Sequence, residues 1–260
     1  MTKRRSNAKA RADSFNQFLT KNPIVEIPTE YNRSQKVFSI HDMINVKPLT
    51  RNQGKLFDIW GEDYSLIIAG SAGSGKSYLA LYLALNEMLD PESKYERVII
   101  VRSAVPTREI GFLKGSEEEK IAVYETPYIQ LFDELFKKKN QYKFMKEAGL
   151  VEFHTTSYVR GLSFHNSIVI FDEFQSATYH ELFTVATRLG QNSKVVFSGD
   201  FAQNDLLKSK SDVSGFAKFV AIADRVPSFR KIYFTHDDIV RSNFVKELII
   251  AEEVYNETHK

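Results

Sequence analysis

The fold is decided by Gly70-Ser71-Ala72-Gly73-Ser74-Gly75-Lys76-Ser77, which matches the phosphate-binding pattern G-x-x-x-x-G-K-[ST] at every position. The short apolar segment before it, Ser65 to Ala69, predicts a buried strand. The segment after it, Tyr78 to Leu89, is rich in Leu and Ala and predicts a helix. A strand, a loop and a helix in this order are the context that a phosphate-binding loop (P-loop) requires.

The residue types of the P-loop suit a nucleoside triphosphate. Glycines let the backbone turn so that successive N–H groups point inward, and the start of the helix adds free N–H groups and a positive dipole end. We expect Lys76 to reach the β- and γ-phosphates and the Ser77 hydroxyl to contact Mg²⁺. The alternative is a Gly- and Ser-rich loop that binds nothing. The predicted nucleotide contacts here are Gly70, Ser71, Ala72, Gly73, Ser74, Gly75, Lys76, Ser77 and Tyr78.

The composition narrows the class of protein. The chain has 260 residues, of which 43% are hydrophobic and 26% charged, as in globular proteins. It contains no cysteine, which excludes disulfides, a thiol nucleophile and cysteine-ligated zinc. No apolar run approaches the roughly 20 residues that a membrane span needs, and the basic N-terminus lacks the apolar core of a signal peptide. We therefore expect no membrane partner and a cytoplasmic location, in a bacterium or in its host if a phage encodes the chain.

Basic residues concentrate in two stretches although the net charge is only +2. The first stretch contains Lys3, Arg4, Arg5, Lys9 and Arg11. The second contains Lys137, Lys138, Lys139, Lys143 and Lys146. Each stretch is either a contact for the phosphate backbone of a nucleic acid, or a solvated tail and a solvated helix face.

Strands and helices alternate along most of the sequence. The predicted strands are 65–69, 97–102, 150–154, 167–171, 194–198 and 231–234. The predicted helices are 52–60, 78–89, 127–139, 179–189, 214–225 and 239–255. This alternation predicts an α/β fold with a mostly parallel sheet, helices on both faces, and ligands at the carboxyl ends of the strands. We predict a basic N-terminal tail and extended arm over residues 1–46, and the α/β domain over residues 47–260.

Two acids follow one of these strands directly. Asp172 is placed to hold Mg²⁺ opposite Ser77, and Glu173 to orient or deprotonate the attacking water. The alternative is a pair of acids in an exposed strand-to-helix turn, where Glu173 would only stabilise the helix dipole.

Four further residues are candidates for the same site. Asp200 and Gln203 follow another strand and would lie beside the γ-phosphate; the alternative is an ordinary turn. The Gln53 amide can pair with N6 and N7 of adenine, and otherwise Gln53 is a surface helix residue. Arg241 can stabilise the charge of a transition state, in its own subunit or in a neighbouring one, and otherwise pairs with a nearby acid.

Taken together, these blocks resemble the PhoH-like proteins over roughly residues 47–253. The most specific block runs from Arg102 to Lys120, because generic P-loop proteins lack it. The blocks occur in the family's order, as Leu49-Thr50-Arg51-Asn52-Gln53, the P-loop, Val101 to Val105 with Gly111-Phe112-Leu113-Lys114-Gly115 and Glu118-Glu119-Lys120, Val159-Arg160-Gly161, Phe171 to Gln175, Gly199 to Gln203 and Asp238-Ile239-Val240-Arg241.

The resemblance implies a RecA-like P-loop NTPase core, similar to the first motor domain of superfamily 1 helicases. It implies hydrolysis of ATP with Mg²⁺, RNA or single-stranded nucleic acid as a partner, and a homo-oligomer such as a hexameric ring. It assigns adenine to Gln53, phosphate and Mg²⁺ to Lys76 and Ser77, Mg²⁺ to Asp172, water to Glu173, the γ-phosphate to Gln203, and a phosphate in trans to Arg241. The catalytic residues are thus Lys76, Glu173, Gln203 and Arg241.

The chain departs from the family pattern at three places. Phe174-Gln175-Ser176 stands where the family has Ala-Gln-Asn, Ser103 replaces a proline after Arg102, and Lys114 replaces the proline of Gly-Phe-Leu-Pro-Gly. The P-loop lysine and the acids are intact, so the changes bear on partner contacts rather than on hydrolysis.

Three functions fit these residues. The first is a helicase- or translocase-like ATPase, for which we expect a neighbouring subunit to replace the second motor domain. The second is an assembly or regulatory ATPase that does not act on nucleic acid. The third is a small-molecule kinase, which would need an acceptor pocket and usually lacks the Gly199 to Gln203 block.

Overall fold

A computed structural model describes residues 38–103, 117–200 and 213–258. The strands are β1 (Ser65–Gly70), β2 (Arg97–Arg102), β3 (Val151–Thr155), β4 (Ser167–Asp172), β5 (Ser193–Gly199) and β6 (Phe229–Phe234). The helices are α1 (Arg51–Trp60), α2 (Lys76–Met88), α3 (Glu117–Phe136), α4 (Gln141–Glu147), α5 (Tyr179–Ala186), α6 (Val213–Ala223) and α7 (Asn243–Thr258). Short 3-10 turns lie at Ile40–Asp42, Phe174–Ser176 and His236–Asp238.

The six strands form one sheet in the order β3-β2-β4-β5-β1-β6, and every neighbouring pair is parallel. All strands therefore end at the same edge, which we call the carboxyl edge. The P-loop follows β1, and the two acids lie at the end of β4. The strand β5 lies between these two strands. This arrangement confirms the predicted α/β fold with a RecA-like P-loop core.

Helices cover both faces of the sheet, as predicted. Leu66 and Ile68 of β1 belong to the core beneath α1 to α4, whereas Ile67 and Ala69 belong to the core beneath α5 and α6. All six residues of β4 are buried, because a parallel strand in the middle of such a sheet is covered on both sides. Within the described ranges, no helix is both long and apolar enough to cross a membrane.

The structure adds one helix, α4, that was not predicted, and several helix ends differ from the prediction by up to three residues. Two helices begin at a clearly different residue. A helix was predicted from Pro127 to Lys139, from the apolar positions in that stretch; α3 instead begins at Glu117 and contains Pro127. Proline has no N–H and removes one backbone hydrogen bond there, and the Thr126 hydroxyl donates to the carbonyl of Ala122 one turn earlier, at 3.0 Å. The last helix was predicted from residue 239, but α7 begins at Asn243, so Arg241 lies in the turn before it.

A buried cation lies at the opposite, amino edge of the sheet. Lys194, at the start of β5, is only 2% exposed, and its Nζ lies 2.7 Å from Oε2 of Glu87. The ring centroids of Trp60 and Tyr95 are 4.6 and 5.2 Å from the same Nζ, and the indole N–H of Trp60 donates to Glu87 at 2.7 Å. Burial lowers the pKa of Lys194, and Glu87 opposes this shift. The ammonium is therefore retained by one carboxylate and two ring faces.

Replacing the partner of this cation should destabilise the fold. Glu87→Gln should lower the free energy of unfolding by about 3 kcal/mol, because it leaves the buried ammonium of Lys194 without its counter-charge. Urea denaturation followed by circular dichroism measures this. The matched control is Glu147→Gln, which breaks an exposed pair with Lys143 at 3.8 Å and should change stability by about 0.5 kcal/mol or less. Equal effects of the two variants would contradict the prediction.

Candidate nucleotide-binding site

Close packing against the neighbouring strand explains the first glycine of the P-loop. Gly70 has a φ of 143°, and a Cβ atom there would lie 2.0 Å from the backbone oxygen of Phe234 on β6. The last glycine, Gly75, has a φ of 81° and immediately precedes α2. A residue with a side chain would be strained at either position. The path of the backbone therefore requires glycine at both.

Lys76 already points into the P-loop. Its Nζ donates to the carbonyl oxygens of Gly70 and Ser71, at 2.7 and 2.8 Å, and the residue is 8% exposed. Burial lowers the pKa of Lys76, and the charges of Asp200 and Glu173 oppose this shift. The ammonium thus lies where the phosphates are expected, held by carbonyl groups that a phosphate would replace as its partners.

The two predicted metal ligands are in contact. The Ser77 hydroxyl, in the first turn of α2, donates to Oδ1 of Asp172, the last residue of β4, at 2.6 Å. The Tyr128 hydroxyl donates to Oδ2 of the same carboxylate at 2.9 Å. Burial and the charge of Asp172 raise the pKa of Tyr128 well above its ordinary value, so the phenol is neutral.

A hydroxyl and one carboxylate are a donor set that fits Mg²⁺. In phosphate-binding sites this ion takes one or two carboxylates and completes its shell with phosphate oxygens and water. In the part of the chain that the structure describes, no group of three or more His, Cys, Asp or Glu could hold a metal by itself. Ser77 and Asp172 are therefore suited to hold Mg²⁺ together with a bound nucleotide.

Glu173 has a backbone conformation that is unusual for a glutamate. Its φ is 56°, in the left-handed region, which costs about 1 kcal/mol and is most common at functional sites. Its side chain accepts a short hydrogen bond from the Gln175 amide. Burial and the charge of Asp172 raise the pKa of Glu173, while Arg102 and Lys76 oppose the shift. A carboxylate with a raised pKa is a better proton acceptor for water.

Gln175 connects Glu173 with the end of β5. Its Oε1 accepts from the backbone N–H of Asp200 at 3.0 Å, and a Cβ atom on Gly199 would lie 2.3 Å from that oxygen. Sequence reasoning gave Gln175 no role, although its match to the family pattern was a signal. Asp200 is buried beside this link, and its location beside the γ-phosphate remains a prediction.

The Gln53 side chain is buried and makes hydrogen bonds within the protein. It is 2% exposed, its Oε1 accepts from the backbone N–H of Leu49 at 2.7 Å, and its Nε2 donates to the carbonyl of Ser74 at 3.2 Å. The interpretation as a surface helix residue is therefore wrong. The adenine contact remains a prediction, and it would have to use the second lone pair and the second hydrogen of the amide.

The segment that carries Arg241 packs on the P-loop of its own chain. The backbone N–H of Val240 donates to the carbonyl of Gly73 at 3.1 Å. A Cβ atom on Gly73 would lie 2.9 Å from Cγ of Arg241. Arg241 is thus beside the site within one chain, and its role toward phosphate, in cis or in trans, remains a prediction.

Asp238, which sequence reasoning did not select, anchors this segment. It is 2% exposed and accepts hydrogen bonds from the Thr50 hydroxyl, from Asn52 Nδ2 at 2.8 Å and from the Thr235 N–H at 2.7 Å. Burial opposes ionisation, but these hydrogen bonds outweigh it and lower the pKa of Asp238. Because α1 also carries Gln53, the carboxylate links the Arg241 segment to the residues that support the P-loop.

The remaining predicted residues have different outcomes. Ala72 and Tyr78 are partly exposed at the P-loop and in the first turn of α2, and their nucleotide contacts remain predictions. Gln203 and residues 104–116 of the family-specific block lie outside the described residues, as do residues 1–37 of the predicted tail; the domain division at residue 46 also remains a prediction.

The second lysine stretch precedes the amino end of β3, away from the P-loop. Lys138 pairs with Asp42 at 3.1 Å, Lys146 with Glu125 at 2.5 Å and Lys143 with Glu147 at 3.8 Å. Lys137, Lys138 and Lys139 lie in the turn between α3 and α4, whereas Lys143 and Lys146 lie on α4, so the stretch is not a single helix face. A contact with nucleic acid remains a prediction.

A family model described as "PhoH-like protein" matches residues 45–253. The chain belongs to the PhoH-like family. It is 32% identical over 215 residues to a PhoH-like protein of Mycobacterium leprae. The matched region covers 82% of the chain and 60% of that protein. It is 33% identical over 207 residues to Protein PhoH of Escherichia coli, which covers 78% of the chain and 57% of that protein. This PhoH-like chain therefore spans at most three fifths of the length of these two curated relatives.

Two solved structures are more distantly similar to this PhoH-like chain. The large terminase of a thermophilic bacteriophage matches with a TM-score of 0.49 and 13% identity, over 78% of the chain and 50% of the terminase. The Hef helicase domain of Pyrococcus furiosus matches with a TM-score of 0.43 and 14% identity, over 71% of the chain and 39% of that domain. At such scores neither similarity indicates a function.

Removing the anchor charge at residue 238 should loosen the support of the P-loop. Asp238→Asn should lower the free energy of unfolding by about 2 kcal/mol, because a buried carboxylate with several donors is replaced by an amide that repels two of them. It should also weaken nucleotide binding, which fluorescence titration with a labelled ADP measures. Since the pKa of Asp238 is lowered, the stabilisation is present at neutral pH and is lost only as the pH falls below the ordinary aspartate range.

The adjacent residue provides the control for this prediction. Asp237 is exposed, and Asp237→Asn should change stability by about 0.5 kcal/mol or less. If Asp238→Asn is as mild as Asp237→Asn, the carboxylate is not an anchor.

Proposed function

We propose that this PhoH-like chain binds ATP with Mg²⁺ and hydrolyses it. The observation that carries the proposal is the 2.6 Å contact between the Ser77 hydroxyl and the Asp172 carboxylate, with Glu173 as the next residue. A P-loop alone indicates only phosphate binding. A P-loop in contact with an aspartate at the end of a strand, with a hydrogen-bonded glutamate as the next residue, is the arrangement of a nucleoside triphosphatase.

Each residue of the site has a separate task in this reaction. The N–H groups of the P-loop and of the first turn of α2 bind the phosphates, and Lys76 contributes a positive charge to them. Bound Mg²⁺, held by Ser77 and Asp172, would neutralise phosphate charge. Glu173 orients a water in line with the γ-phosphate and accepts its proton.

Three more residues complete the proposed site. The Gln53 amide binds adenine, Gln203 contacts the γ-phosphate, and Arg241 stabilises the charge that develops on the transferred group. The position of Arg241 beside Gly73 supports a location near the phosphates.

We further propose that hydrolysis acts on RNA or single-stranded nucleic acid, in a helicase- or translocase-like manner. The support is the family resemblance together with chain order at the carboxyl edge. The strands β2 and β5 end on either side of β4, the strand that carries Asp172, and residues 104–116 and 201–212 follow them in the sequence. Gln175 joins Glu173 to Asp200, directly before the second of these segments, so a partner there would act on the residue that positions water.

An oligomer, with a hexameric ring as one arrangement, belongs to the same proposal, as does the predicted cytoplasmic location. The support for the oligomer is an apolar face on α7, the helix that follows Arg241. Its members Phe244, Leu248 and Tyr255 are 72%, 57% and 61% exposed, and their spacing puts them on one side of the helix. A second copy of the chain would bury this face. A strictly monomeric mass together with full ATPase activity would contradict the ring.

The same apolar face supports a second candidate function, in which ATP sets the oligomeric state and nucleic acid plays no part. In this alternative the nucleotide controls how α7 meets a neighbouring subunit, through the contact of the Arg241 segment with Gly73.

Two substitutions separate binding from hydrolysis. Lys76→Ala should abolish or strongly weaken ATP binding, because the phosphates lose their buried cation. Glu173→Gln should bind ATP normally and lower kcat by about 100-fold or more, since the amide cannot accept a proton from water. Binding is measured with a fluorescent ATP analogue, and turnover by phosphate release. If Glu173→Gln hydrolyses ATP at the normal rate, its assigned role is wrong.

Stimulation of the ATPase distinguishes the two candidate functions. We expect single-stranded RNA or DNA to raise kcat at low salt, where contacts to the phosphate backbone are strongest, and duplex DNA to have less effect. Phosphate release is measured with each nucleic acid and without any. An unchanged rate with all three, together with a mass that depends on ATP, would favour the assembly function.

A further inference from the structure

We propose that Tyr128 is a positioning residue for Mg²⁺: its hydroxyl fixes the Asp172 carboxylate so that Oδ1 is directed to Ser77 and to the ion. This inference rests on the proposed function, because it concerns the same metal site. The family resemblance assigned no role to Tyr128.

The contact lies deep in the protein. Tyr128 is 3% exposed and Asp172 is 5% exposed. The phenol donates to Oδ2 of Asp172 at 2.9 Å, while the Ser77 hydroxyl donates to Oδ1 at 2.6 Å. Each oxygen of the carboxylate therefore has its own donor, from a different helix, and rotation of the carboxylate about its terminal bond would break both hydrogen bonds.

The two donors have different consequences for a metal. The Ser77 hydroxyl is itself a ligand candidate, because its oxygen has a free lone pair that would bind the ion. The Tyr128 hydroxyl lies on the other oxygen and can keep its bond with or without the ion. Tyr128 therefore holds Asp172 in the geometry for binding before the ion arrives, and partners that act in this way on metal-binding carboxylates change metal affinity by about 10- to 100-fold.

The aromatic ring is held independently of the hydroxyl. The ring centroid of Tyr128 lies 5.7 Å from that of Phe153 on β3, and Tyr128 belongs to the core that also contains Phe132 of α3. Removal of the oxygen atom alone should leave this packing in place. Tyr128→Phe is therefore a substitution that tests the hydrogen bond and not the ring.

The chain offers a matched control. Tyr95 is also buried, at 2% exposed, and its hydroxyl also donates to an aspartate, Asp63, but this pair lies at the amino edge of the sheet. Tyr95→Phe removes the same kind of hydrogen bond without contact to the nucleotide site. A merely structural effect should appear in both variants, whereas an effect on the metal should appear only in Tyr128→Phe.

The experiment is a Mg²⁺ titration of nucleotide binding in the full chain. The affinity for a fluorescent ADP is measured in EDTA and at increasing Mg²⁺, for the unmodified chain and for Tyr128→Phe and Tyr95→Phe. We expect Tyr128→Phe to bind metal-free ADP within about twofold of the unmodified chain and to need about 10-fold more Mg²⁺ for the same increase in affinity. Tyr95→Phe should leave the Mg²⁺ dependence unchanged, while both variants lose some thermal stability.

The outcomes separate this inference from the proposed function. If Tyr128→Phe has the Mg²⁺ dependence of the unmodified chain, or if Tyr95→Phe shifts it equally, Tyr128 is not a positioning residue, and ATP hydrolysis is unaffected as a proposal. If the unmodified chain binds no nucleotide, or binds it without any Mg²⁺ dependence, both proposals fail.

Discussion

The hydrogen bond from Ser77 to Asp172 depends on the whole sheet and defines the site. It joins residues 95 positions apart, at the start of α2 and at the end of β4. The two strands that lead to them are both neighbours of β5, so their ends are separated by about 10 Å of sheet. The gap closes because α2 begins six residues after the end of β1 and packs against both β5 and β4. A different strand order would leave the P-loop and the acids too far apart to share an ion.

Buried carboxylates hold the other loops at the carboxyl edge in the same manner. Asp238 gathers donors from the turns around β6 and α1, as described above. Glu181, at the start of α5, accepts from the hydroxyls of Ser103 and Thr156, which follow β2 and β3, and from Thr178. Burial opposes ionisation of Glu181, but these hydrogen bonds lower its pKa. The strand ends are thus connected by ionised side chains that each accept hydrogen bonds from several short polar residues.

The sequence was sufficient for the elements that depend on local pattern. All six strands were predicted within two residues of their observed ends, because a buried parallel strand is a short continuous apolar run. The P-loop and Asp172 lie at the ends of β1 and β4, where the order of strand, loop and helix predicted them, while their roles toward nucleotide and metal remain predictions. The contacts of Tyr128, Gln175 and Asp238 could not be predicted, since they depend on how distant segments pack. The start of α3 ten residues before Pro127 is the clearest case, because Ile121 and Tyr124 in the additional turns pack against the core.

The buried Lys194 at the amino edge lies at one end of a strand whose other end lies in the nucleotide site. β5 begins in that ionic and aromatic cage and ends at Gly199, beside Gln175 and the strained backbone of Glu173. The two ends of this strand therefore affect stability in opposite ways. The contacts of Lys194 stabilise the fold at one end, whereas the backbone conformation of Glu173 destabilises it at the other. Because they share no side-chain contact in the described structure, substitutions in the cage and in the site should have nearly independent effects. Substitutions in the loops at the carboxyl edge can therefore be tolerated without a compensating substitution around Lys194 at the amino edge.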